Sequence, residues 1–119
     1  MEMEKFKNRI IEIFEGYSAD PKDSPNWKWI QKADQMGINT NTIPSFVPWA
    51  EIDGEPIPMV AKQDLGKHYK GNPVYYGFSS EEEARRKLEQ MKKLPGWQRA
   101  TSFWIEVMFK DKVVDRIEV

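Results

Sequence analysis

Residues 74–119 read VYYGFSSEEEARRKLEQMKKLPGWQRATSFWIEVMFKDKVVDRIEV, and their pattern decides the fold. The segment divides into a short strand over 74–78, a capped helix and a β-hairpin. Ser79 or Ser80 can cap the helix, because each has a glutamate three residues on, Glu82 or Glu83, in the capping-box spacing. Ala84, Leu88, Met91 and Leu94 recur on one helical face, and Pro95-Gly96 closes the helix. From Phe103 the period changes to two. Phe103, Ile105, Val107 and Phe109 share one face, and Trp104, Glu106 and Met108 share the other. A three-residue loop, Lys110-Asp111-Lys112, sets Phe109 opposite Val113, Ile105 opposite Ile117 and Phe103 opposite Val119. It also sets Glu106 opposite Arg116, an oppositely charged cross-strand pair. A two-residue loop would turn Arg116 and Glu118 onto the apolar face, so the three-residue loop is expected. Asp115 then falls on the apolar face, and the pattern offers no reason for it.

Upstream, Asp53-Gly54 marks a tight hairpin turn between strands over 47–52 and 55–60. With Ile52 and Glu55 as the closing pair, Pro56 and Pro58 sit where a missing N–H faces outward, which protects the ribbon edge. Pro48 falls on an inward position and is expected to end the pairing. Earlier still, Ser24-Pro25 is a helix start signal. Trp29, Ile30, Ala33 and Met36 form the inner face of that helix, Gly37 stops it, and Ile38 packs back. Trp27 lies roughly 200° around the helix from Trp29, so it is expected to point outward. Met3, Phe6, Ile10, Ile13, Phe14 and Tyr17 fall at helical intervals, which predicts an N-terminal helix over 2–15 ended by Gly16.

The expected fold is therefore one small α+β domain over residues 1–119. It has N-terminal helices and a short proline-edged β-hairpin, then β-α-β-β ending in an antiparallel hairpin. With 119 residues, 39% of them hydrophobic and 13% aromatic, the chain can bury a core without staples. A net charge of −1 gives no global field to attract nucleic acid or an anionic membrane. The absence of cysteine excludes disulfides, thiolate metal sites and a cysteine nucleophile. Met1 to Lys5 lacks the flank and apolar run of a leader, and no stretch has the length of a membrane span, so a cytoplasmic protein is expected.

No segment carries a sharp chemical motif. Glu81, Glu82, Glu83 and Glu89 each precede a base by four residues (Arg85, Arg86, Lys87 and Lys93), the pattern of a solvated helix face. His68, the single histidine, has no companion ligands at a metal-site spacing and no glycine-flanked serine to activate. Glu51, Asp53 and Glu55 cluster, yet the turn already accounts for them. The glycines form no phosphate loop. No cofactor, metal or catalytic residue is expected.

Folding leaves aromatic and basic residues unexplained: Trp27 and Lys28, then Lys67, His68, Tyr69 and Lys70 in a polar loop that runs into Tyr75-Tyr76. These six are the candidate binding residues, since aromatics beside bases make protein hot spots or stack on nucleobases. The expectation is a non-enzymatic protein-binding module or inhibitor, able to self-associate through its N-terminal helix. Small, cysteine-free, motif-less chains of this kind are often accessory binding proteins, including those of phages and mobile elements, by analogy and not by any particular residue. Single-stranded nucleic-acid binding is the alternative, weakened by the near-zero net charge. A small-ligand-binding protein or a small hydrolase comes last.

Overall fold

The computed structural model describes residues 26–40 and 43–119. The expected N-terminal helix and the Ser24-Pro25 start lie outside them. Helix α1 (Trp27–Gln35) follows Asn26 at its N-cap position and buries Trp29, Ile30 and Ala33. Its end is set by Gly37 at φ 77°, a left-handed conformation that costs glycine little. The Gly37 N–H then reaches the Asp34 carbonyl at 3.0 Å and the Ile38 N–H reaches Ala33 at 2.9 Å, the paired bonds of a Schellman stop. Ile38 packs back on the core as expected. Met36 does not: it stands beyond the helix end and is 53% exposed.

Strands β1 (Ser45–Ile52) and β2 (Glu55–Pro58) form the expected hairpin, with Ile52 opposite Glu55 around Asp53 (φ 54°) and Gly54 (φ 80°). This ladder ends at Trp49 opposite Pro58, one step before Pro48. Pro48 nevertheless lies inside a central strand, because β1 also pairs along its other side with β3 (Ser102–Phe109). The ring is tolerated because the absent N–H of Pro48 faces the side from which β2 departs. There its carbonyl accepts from Met59 at 2.9 Å. The edge that β2 vacates is taken up at Phe46, which exchanges two backbone bonds with Phe78.

Strand β4 (Lys112–Glu118) completes an antiparallel sheet of order β2-β1-β3-β4. Ile105 opposes Ile117 and Glu106 opposes Arg116, as the alternation requires. The loop, however, holds two residues, Lys110 and Asp111, so that Phe109 faces Lys112 and not Val113. A one-residue bulge at Val114 absorbs the difference between the two registers. The bulge turns Val114 into the core and leaves Val113 44% exposed. Asp115, unexplained by the pattern, reaches Lys32 of α1 at 3.1 Å and so fixes that helix against β4.

Helix α2 (Glu81–Lys92) is capped by Ser80, whose Oγ accepts from the Glu83 N–H at 3.1 Å. Ala84 and Leu88 are fully buried and Met91 is half-buried, while Leu94, expected inside, is exposed past the helix end. Of the expected charge pairs Glu81–Arg85 closes at 2.9 Å, whereas Glu89 pairs with Lys92 and not Lys93. Both helices contribute to one core, where Trp29, Ile30, Ala84 and Leu88 meet Phe46, Ala50, Ile105, Val107 and Phe109.

The opposite face of the sheet carries Val47, Trp49, Trp104, Glu106 and Met108, and it is not left to solvent. Val47, Trp104 and Met108 are buried. Of the segment that follows β2, Tyr75 lies against Trp49 and Gly77 against Val47 on this face, while Met59 and Phe78 at its ends pack with the core. The expected strand over 74–78 is replaced by single bridges, Lys62 to Tyr75 and Phe46 to Phe78. Among the described residues no helix is long and apolar enough to cross a membrane.

Candidate functional site: an aromatic groove on the outer sheet face

The six residues singled out from sequence fall into two sets with different anchors. Trp27 is half-buried and packs against the core, contrary to its expected outward placement. The apolar demand of the core extends further round α1 than one helical stripe. Lys28 is exposed. Its ammonium lies 4.5 Å from the centre of the Trp29 ring and 4.0 Å from Glu81, so it serves the contact between the helices. Lys67, His68 and Lys70 are exposed on the loop, whereas Tyr69 folds inward. The Tyr69 hydroxyl donates to the Asn72 carbonyl at 2.6 Å. The Asn72 N–H donates in turn to the Asp111 carboxylate at 3.1 Å. That N–H is the main reason the Asp111 carboxyl is held below its usual range. Desolvation, followed by the nearby Asp111 charge, pushes the Tyr69 phenol up. This tie brings the basic loop alongside Lys110 and Lys112 of the β3–β4 turn.

Two of the carboxylates near the first hairpin turn have structural partners. Asp53 forms an ion pair with Arg99, and Glu51 accepts from the Thr101 hydroxyl at 3.1 Å. Among the described residues no group of three or more ligand side chains could hold a metal ion.

A groove of about 490 Å³ opens where the outer sheet face meets the α1 stop, residues 72–75 and the β3–β4 turn. Its walls are Met36, Trp49, Pro73, Tyr75, Met108 and Val113, with Glu106 and Asp111 as its acids and Lys112 as its base. A second hollow of about 390 Å³ lies within the 62–74 loop, where Lys62, Gln63 and Asp64 share its wall with Leu65, Pro73 and Val74 and Tyr69 is the one aromatic. The groove is the stronger candidate, since apolar and aromatic walls around a few polar groups are what a recognition site needs.

Its aromatic walls are held from behind. Trp49 and Trp104, cross-strand neighbours on β1 and β3, stack with centroids 6.3 Å apart and planes 5° from parallel. Tyr75 meets Trp49 edge-on at 5.3 Å and 76°, which forms a corner of two aromatic surfaces. Glu106 is the one acid on the outer face of β3, and it is half-buried. Its cross-strand neighbour Arg116 does not close an ion pair with it. The Arg116 guanidinium lies 4.0 Å over the Trp104 ring, and its Nε bonds Glu118 at 2.6 Å.

Burial pushes the Glu106 carboxyl above the ordinary glutamate range. The Trp104 indole, the Arg116 charge and the Trp49 indole pull it back, in that order, and burial prevails. Both indole N–H groups are buried without closing a hydrogen bond of good geometry.

None of the residues lining this groove is among the six singled out from sequence. The sequence did contain a signal: Trp104 and Met108 put large apolar side chains on the face of β3 that should have been solvated. Only the fold shows that Trp49, Tyr75 and Glu106 converge there. No protein-family model, curated protein or solved structure matches the chain.

Proposed function

We propose that the protein is a non-enzymatic binding module, or an inhibitor of its partner, that acts in the cytoplasm by protein–protein contact through the outer-face groove. The observation that supports this reading is an aromatic corner and apolar wall left open among the described residues, on a sheet face whose Val47, Trp104 and Met108 are buried. Rigid aromatics at the centre of a contact patch, with a polar rim, are the anatomy of a protein hot spot.

The test compares the full-length protein with Val113→Arg, which puts bulk and charge on the exposed groove rim, and with Arg86→Ala on the far helix face. A partner captured from the native host, and then bound directly in purified form, should lose at least tenfold in affinity with Val113→Arg and keep it with Arg86→Ala. Equal binding by both variants would remove the groove from the contact.

A second reading has one observation in its favour. The Tyr69–Asn72–Asp111 tie gathers Lys67, Lys70, Lys110 and Lys112 near one end of the molecule, which suits a single-stranded nucleic acid. Salt separates the two. A strand held through several phosphates loses affinity steeply, by roughly tenfold or more between 50 and 200 mM salt, whereas an apolar contact changes little.

A further inference from the structure

We infer that the groove recognises a cationic side-chain head group, the guanidinium of an arginine or the ammonium of a lysine, presented by the partner protein. This rests on the protein-contact reading and adds to it the chemistry that the site selects.

Each kind of occupant would act differently on Glu106. Its carboxylate already sits half-buried on the groove wall, and Arg116, the nearest cation in register, is committed to Trp104 and Glu118. An apolar side chain entering the groove would strip the remaining water from a carboxylate that has no ion pair among the described residues, which is costly. An acidic side chain would meet Glu106 and Asp111 together. A cation reverses the sign of both effects, because it supplies the missing counter-charge and strengthens as water leaves.

The aromatic geometry points the same way. Trp49 and Tyr75 meet at 76°, so a cation seated in the corner they form lies against aromatic surface. The buried indole N–H groups of Trp49 and Trp104, still without a full hydrogen bond, favour the ionised form of Glu106 that such a ligand needs. Met36, Pro73, Met108 and Val113 provide apolar wall for the aliphatic stem that lysine and arginine carry below the charge. Lys112 on the rim opposes a cation, and Asp111 beside it offsets that charge.

The test titrates isotope-labelled full-length protein and follows its five tryptophan indole N–H signals. The probes are n-butylguanidinium, its neutral isostere n-butylurea, tetramethylammonium, and the capped tripeptides Gly-Arg-Gly and Gly-Lys-Gly. Saturable shifts of the Trp49 and Trp104 signals are expected with n-butylguanidinium and with both peptides, and at least tenfold weaker binding with n-butylurea. Glu106→Gln should weaken the cationic probes by about tenfold, the equivalent of ~1.4 kcal/mol. Unfolding cannot imitate this loss, since the substitution relieves a buried charge and should leave the domain at least as stable.

Equal binding of n-butylurea and n-butylguanidinium, or equal binding by wild type and Glu106→Gln, would overturn the cation assignment while leaving protein contact standing. Tetramethylammonium binding tenfold tighter than either peptide would overturn it in favour of a small free cation. Loss of the partner's sensitivity to Val113→Arg is a separate result, and it removes the contact reading itself.

Discussion

Glu106 concentrates the physics of the outer face in one side chain. Its carboxyl is shifted up in the folded state, so the folded protein holds its proton to higher pH than the unfolded chain does. Below the ordinary value of 4.5 both states are protonated and the group has no effect on stability. As pH rises through the raised folded value, the folded state must ionise a poorly solvated group, and stability falls. Glu106→Gln should therefore melt higher than wild type at neutral pH, and the two curves should converge well below pH 4.5. A wild-type advantage at neutral pH would show that the indole N–H groups and Arg116 more than compensate for burial. Trp27 is a second residue whose meaning changes with its surroundings. Packed on the core, Trp27→Ala should destabilise the domain by about 1–2 kcal/mol, read as a denaturant midpoint shift.

At the scale of elements, α2 and the β3–β4 hairpin carry separate lessons. Leu88 is fully buried between α2 and the sheet, so Leu88→Ala should cost ~2–5 kcal/mol. Arg86→Ala on the outer face of the same helix should cost well under ~1 kcal/mol. Similar midpoint shifts for both would mean that the helix presents another face to the sheet. In the hairpin the alternation of β3 fixes the outcome, and the bulge at Val114 is how a two-residue turn meets it. Deleting Val114 should leave a regular ladder with Glu106 still opposite Arg116, visible as unchanged cross-strand NOEs. Part of the buried apolar contact would be lost with it. A shift of Arg116 away from Glu106 would show that the bulge itself, and not the two-residue turn with the apolar face, holds the register.

At the scale of the whole molecule, the sheet has two unequal sides: a helix-packed core and an outer face closed by an irregular segment. The closure depends on a tight approach at Gly77, where a Cβ would collide with the Ser45 side chain, the Phe46 carbonyl and a Val47 methyl. Because one of these atoms is backbone, Gly77→Ala should lift the cover and destabilise by ~1–3 kcal/mol. The tryptophan emission should move to longer wavelength as Trp49 and Trp104 gain water. A variant that keeps both its emission maximum and its midpoint would show that the cover adjusts freely.

What the sequence alone determined was local. The Ser80 cap with Glu83, the Gly37 stop, the Asp53-Gly54 turn and the period-two run through Phe109 each answer to forces acting within a few residues. Those forces operate the same way wherever the segment lies. The α+β class follows from them. The tertiary structure decided what depends on meeting a distant segment. β1 pairs with β3 and so accommodates Pro48 in a central strand. Asp115 finds Lys32 on another element, Val114 bulges to reconcile a turn with a face, and Tyr75 and Gly77 come to lie against the second side of the sheet. The groove belongs to this second group, because Trp49, Tyr75 and Glu106 come from three segments and share no spacing that a sequence pattern could reveal. Hydrophobic burial is non-directional, so a chain shows that Trp104 and Met108 must be covered without showing what covers them.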